Sequence, residues 1–235
     1  MRPTPPAAKV NGREGARRLP LVVFRYGVVV LMLTTAILFG ILSPPSDWGR
    51  FVSTLLALAA ISAALSRAGV SRRLLGVAIV VGAVAVFSGV AAFFGGRYAL
   101  GVAQLAAAGL LVLVPVAILA EFRRDLSVTL QSVTAAVCIY LVFGMFFASL
   151  ASAVSTVAGA PYFVGKGTAD SSDYLYFSFI TLATVGYGDY VPALGAGRAM
   201  AVLEALMGQL YLVTVVALVV GNLAGRRPDG SRDSG

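Results

Sequence analysis

The sequence predicts an all-α membrane protein: six transmembrane helices, with a re-entrant pore helix and a glycine-containing loop between helices five and six. Three observations carry this fold class. Of 235 residues, 59% are hydrophobic and only 12% charged, with a mean hydropathy of +0.90, which leaves too little polar surface to coat a soluble globule. The apolar residues gather in six runs near or above the length that about 30 Å of hydrocarbon demands. Positive residues crowd into alternate gaps between those runs, as loops held on the cytoplasmic side do.

Composition also excludes functions. A net charge of +8 could suggest nucleic acid, but the cations sit in short clusters and form no basic domain, so no nucleic-acid partner is expected. Cys138 is the single cysteine and lies inside an apolar run. It allows no intrachain disulfide or cysteine zinc site and reads as core packing. With no histidine, no nucleophile–base set and no phosphate-type glycine loop before a helix, the chain does not read as an enzyme, and no cofactor is expected.

Taken in order, residues 1–20 carry Arg2, Lys9, Arg13, Arg17 and Arg18 without apolar periodicity and read as a basic tail. Residues 21–42 exceed the usual signal-peptide core and lack a small-residue cleavage site before Pro44, so they read as a retained span. Arg25 sits one turn inside it, where its stem can snorkel to the headgroups. Further runs cover 51–65, 74–94, 100–120 and 128–154, and a last one covers 198–223. The Ala- and Ser-rich second run has the weakest apolar signal.

Charge gives the sidedness. The tail, the gap with Arg67, Arg72 and Arg73, the gap with Arg123 and Arg124, and the end with Arg226, Arg227 and Arg232 hold thirteen cations. The opposite side has Arg50, Arg97, Lys166 and Arg198 alone. Both termini are therefore expected in the cytoplasm of a multi-pass cell-membrane protein, with lipids as its surroundings and the glycine loop entering from outside.

That entry begins with residues 158–170, where Gly, Pro161, Lys166 and Thr168 suggest an exposed outer turret. Ser171, Ser172 and Asp173 offer a helix cap and an acidic first turn. Residues 174–183 are apolar and aromatic but too short to cross, so they read as a pore helix whose negative dipole end faces the membrane centre. The loop Thr184-Val185-Gly186-Tyr187-Gly188-Asp189 follows. Gly186 and Gly188 allow successive carbonyls to turn towards one axis, where they can replace the water around a cation, and Thr184 can add its hydroxyl.

The stretch YLYFSFITLATVGYGDYVP, from Tyr174 to Pro192, resembles the pore helix, filter and outer mouth of tetrameric potassium channels. Roughly the last 110 residues resemble their two-helix pore unit, with Gly197-Arg198 opening the inner helix and Gly208 at the position of the family's glycine hinge. With four helices ahead of the pore, the chain resembles the bacterial six-helix, one-loop form. The resemblance implies that the carbonyls of Thr184, Val185, Gly186 and Tyr187, with the Thr184 hydroxyl, bind dehydrated K+ as the permeant ion. It also implies a homotetramer, because one loop supplies a quarter of the ring.

The supports depart from the family pattern. Ile180 stands where some relatives have a glutamate for the outer-mouth Asp189, and Tyr176 and Phe177 replace two tryptophans. Tyr176 can still donate to Asp189, whereas Phe177 has no donor for the Tyr187 hydroxyl; altered filter stability is expected. In the inner helix, Glu204 shares a face with Gly208, and Gln209 flanks it. Two readings fit Glu204: a carboxylate behind the filter, or a protonated or hydrogen-bonded packing residue. Leu212, Val216 and Val220 recur by helical turns and either ring a cavity that closes by dewetting or pack on span five.

The domains expected are a basic cytoplasmic tail (1–20), a four-helix membrane domain (21–125), a pore domain (126–225) and a short cytoplasmic tail (226–235). The four-helix domain resembles a voltage-sensor bundle but lacks the regularly spaced arginines, since residues 100–120 hold Gln104 and Pro115 and no charge. Weak or absent voltage gating is expected. A weakly selective cation channel and a non-conducting membrane scaffold subunit are the remaining alternatives.

Overall fold

The computed structural model describes residues 24–42, 47–67, 72–92, 97–122 and 130–225. The tail over 1–20, the arginines at 123 and 124, and the end from 226 lie outside the described residues. The described chain is helical, in the order α1 (Phe24–Leu42), α2 (Asp47–Arg67), α3 (Arg72–Ala92), α4 (Arg97–Phe122), α5 (Leu130–Ala158), α6 (Ser171–Leu182) and α7 (Gly195–Gly225). Each helix falls where an apolar run predicts one. Two of them, over Ser132–Ala158 and Gly195–Leu218, are long and apolar enough to cross a bilayer. At 12 residues, α6 is about 18 Å long and cannot.

Helix α5 is the common neighbour, with α1, α4, α6 and α7 all packed on it. Its Ala135, Cys138 and Val142 are fully buried against Val29 and Leu33 of α1 and Leu110 of α4, so Cys138 is core as expected. Lipid tails are as apolar as leucine, so association of helices in a bilayer relies on close packing and interhelical hydrogen bonds. Both occur here. Gln104 of α4 donates to Ser152 (2.6 Å) and accepts from Thr156 (3.0 Å), tying α4 to α5, and the Tyr211 hydroxyl of α7 donates to the Ala136 carbonyl at 2.7 Å. Each such bond contributes on the order of 1 kcal/mol.

The segment between α5 and α6 differs from the exposed turret that its composition suggests. Val164, Gly165, Gly167 and Thr168 are exposed, but Tyr162 is 1% exposed and Phe163 equally inaccessible. Their rings pack on Tyr174 and Phe177 of α6. The backbone is pinned as well, with Val164 N bonded to Val191 O (2.9 Å) and Ala193 N to Tyr162 O (2.7 Å). Two aromatic residues in a polar-looking loop outweigh its Gly and Pro content, because a ring buried against other rings gains both area and edge-to-face geometry.

Short helix α6 is held from two sides by contacts that only glycine permits. A Cβ on Gly144 of α5 would lie 2.5 Å from the Phe179 ring, and one on Gly208 of α7 would lie 2.3 Å from the Leu182 carbonyl oxygen. These close approaches set where the end of α6 points.

Candidate functional site

The site begins at the N-terminus of α6. Its cap is Asp170 rather than the serines that follow, and Asp173 Oδ2 accepts from the Asp170 N–H at 2.8 Å. The other carboxylate oxygen of Asp173 takes Lys166 Nζ (2.6 Å) and the Tyr190 hydroxyl (2.8 Å), while Lys166 also donates to Tyr190. This clamp joins the loop between α5 and α6, α6 itself and the segment beyond the glycine loop. Its hydrogen bond to Asp173 raises the Lys166 titration above the usual lysine value. For Asp173, burial pushes upward, but the bonds from Lys166, the Asp170 N–H and Tyr190 together outweigh it and hold the carboxyl below the usual range.

At the other end of α6 the chain turns back on its own last turn. Thr184 N bonds to Thr181 O (2.9 Å), and the amides of Val185 (2.8 Å) and Gly186 (3.2 Å) both bond to Ile180 O. Positive φ recurs at every second residue: Thr184 (56°), Gly186 (53°) and Gly188 (80°). Alternation of backbone hand collects N–H groups on one side of a strand and carbonyls on the other. With three amides already bonded into α6, the opposite side is a row of acceptors. Glycine takes these angles freely, while Thr184 takes one at a cost of about 1–2 kcal/mol. The packing of α6 must hold that strain.

All residues from 183 to 189 are exposed on the single chain, including the Val185 and Tyr187 side chains at 51% and 73%. The C-terminal end of α6, with its partial negative charge, adjoins the carbonyl row. Among the described residues no cluster of three His, Cys, Asp or Glu side chains could hold a metal. The acceptors along this stretch are the backbone carbonyls and the Thr184 hydroxyl.

The predicted supports separate. Tyr176 and Asp189 interact electrostatically, and the Tyr176 ring packs on Tyr190. Phe177 turns away into the cluster under Tyr162 and Phe163. Ile180 contributes through its carbonyl rather than its side chain. Glu204 is 2% exposed and bonded to Ser178 of α6, so it is a hydrogen-bonded group in the contact between α6 and α7. Gly208 sits in an unbroken helix, where a Cβ would meet the Leu182 carbonyl, so close approach of α6 by itself requires a glycine at this position. Leu212 and Val216 are exposed on the single chain, and the Val220 side chain lies outside the described residues. Gln209 is exposed.

Ser178 and the Lys166–Asp173–Tyr190 clamp do not emerge from sequence reasoning. The available signal for Ser178 is a short hydroxyl side chain inside an otherwise apolar helix, which needs an acceptor when buried. For the clamp no local pattern exists, since its members come from three separated segments.

Residues 135–224, from the first turns of α5 to the end of α7, match a family model described as an ion channel. The match covers the glycine loop and most of both long apolar helices, and it supports ion transport through a membrane rather than an enzymatic role. No curated protein matches the chain.

Proposed function

We propose that this chain is one subunit of a homotetrameric, potassium-selective channel of the cell membrane. Six helices span, α6 and residues 184–188 enter from outside, and both termini are cytoplasmic. Dehydrated K+ is met by the carbonyls of Thr184, Val185, Gly186 and Tyr187 and by the Thr184 hydroxyl. The observation that carries this reading is the positive φ at Thr184, Gly186 and Gly188 together with amides bonded back into α6. That geometry commits the carbonyls to one side, and a non-glycine residue bears strain to complete it.

Assembly follows from incompleteness. One loop cannot surround an ion, and α7 leaves Leu203, Leu206, Leu210 and Val213 exposed on the chain. Copies around an axis cover part of that face, and Leu212, Val216 and Val220 ring the inner cavity as a dewetting gate. The first four helices, without regularly spaced charges in α4, serve as scaffold.

The test is the reversal potential of purified protein in liposomes under opposed K+ and Na+ gradients. A value near the potassium equilibrium potential is expected. The departure at Phe177, which packs within its own chain and leaves the Tyr187 ring unbraced by it, favours weak cation selectivity as the second reading; reversal near zero supports that one. Absence of current supports a non-conducting scaffold.

A further inference from the structure

Buried in the contact between α6 and α7 is a count of hydrogens that does not close with an ionised glutamate. Ser178 Oγ lies 2.7 Å from the Gly144 carbonyl oxygen of α5 and also bonds to Glu204 Oε1 of α7. A serine hydroxyl has one hydrogen. The Gly144 carbonyl has none, so the hydroxyl hydrogen occupies that contact. The remaining hydrogen between Oγ and Oε1 must come from the carboxyl group.

Resting on the channel reading above, we propose that Glu204 is a neutral, proton-donating positioning residue. Its carboxyl proton holds α6 against α7, and loss of that proton on alkalinisation releases α6 and lowers potassium flux.

The surroundings agree. Glu204 is almost inaccessible to solvent, and among the described residues no cation pairs with it. The helices packed on α7 are α5 and α6. From α5 the titratable group sensing Glu204 is the Tyr140 phenol, from the outer loop it is the Tyr162 phenol, and α6 presents the Ser178 hydroxyl. None of these carries positive charge. An ionised carboxylate in this seat would compete with the Gly144 carbonyl for a single hydrogen, and one contact would have to open. A buried acceptor without its hydrogen, or a buried charge without a partner, is costly.

The consequence reaches the loop by a short path. Ser178 precedes Ile180 by two residues, and the Ile180 carbonyl receives the amides of Val185 and Gly186. Phe179 against Gly144 and Leu182 against Gly208 leave α6 no slack on either side of Ser178. Displacement at Ser178 is therefore passed to the carbonyl row.

The experiment compares potassium flux of the full-length protein in liposomes at mildly acidic and alkaline pH, for wild type, Glu204→Gln and Ser178→Ala. An amide donates an N–H at both pH values, so Glu204→Gln is expected to give a flux ratio near unity. Well above the titration midpoint the protonated fraction of each Glu204 falls about tenfold per pH unit, and wild-type flux is expected to fall at least that steeply. Ser178→Ala, which removes the acceptor, is expected to flatten the profile. A Glu204→Gln profile as steep as wild type, or a flat wild-type profile, overturns the proposal. Infrared difference spectra provide a readout independent of conduction: wild type at neutral pH should show a protonated-carboxyl band that Glu204→Gln lacks. Its absence from wild type also overturns the proposal. Absence of flux at every pH with the band present sinks the channel reading and the flux half of the proposal, and upholds the protonated contact.

Discussion

At Gly208 there is no room for a methyl group. A Cβ there would meet backbone, the Leu182 carbonyl at 2.3 Å, which cannot swing aside as a side chain can. Gly208→Ala is therefore expected to destabilise the fold by about 1–3 kcal/mol, the usual cost of overpacking, and to reduce potassium flux in liposomes. Gly109→Ala in α4 is the control, since a Cβ there meets nothing within 4 Å. Equal thermal midpoints and flux for the two variants would show that α7 does not press on α6. Sequence makes Gly208 visible but gives it a bending role; the neighbour that explains it is 26 positions earlier, and no local pattern announces which carbonyl a distant helix will approach.

At the scale of an element, α6 shows how a helix of three turns is made rigid enough to hold a strained loop. Its start is held by the Lys166–Asp173–Tyr190 clamp, its middle by Ser178, and its end by Gly144 and Gly208. The clamp has a defined pH window. Asp173 titrates below its ordinary value, so its stabilisation is complete above the ordinary carboxylate range and is lost as pH falls through the folded value. Lys166 titrates above its ordinary value, so its stabilisation is complete below the lysine range and is lost as pH rises through the folded value. Lys166→Met is expected to raise amide hydrogen exchange at Asp170 and Asp173 at neutral pH, after correction for intrinsic rates. In wild type the same rise is expected as pH falls below the carboxylate range. Exchange in the variant equal to wild type at neutral pH would mean that Lys166 does not hold the cap. The existence of α6 is legible from its apolar aromatic run and acidic first turn. Its cap is displaced by a residue or more from the sequence expectation, because Ser and Asp both cap well and the choice rests on Asp173 bonding back to the Asp170 N–H.

For the whole molecule, the first four helices join α5 and the helices beyond it through apolar packing and the Gln104 bonds to α5. The stretch Gln104–Val116 of α4 carries no charge for a field to act on. A full elementary charge crossing the membrane would couple by about 2.3 kcal/mol per 100 mV, and α4 offers none in that stretch. A shallow conductance–voltage relation in planar bilayers is expected; a steep one would require gating charge outside α4. The sequence by itself determined the helix inventory and the placement of the glycine loop, because backbone in hydrocarbon must satisfy its own hydrogen bonds and long apolar runs announce where it does. Sequence also marked Gly186 and Gly188 as free to turn. Only the tertiary structure decided what Thr184, Ser178, Glu204 and Gly208 do, including the burial of Tyr162 and Phe163 in an apparently polar loop. Their roles depend on partners brought together from α5, α6 and α7, such as Ser178 with Gly144 and Glu204, 34 and 26 residues away. A hydrogen bond or a steric limit acts over a few ångströms in space, whatever the distance along the chain.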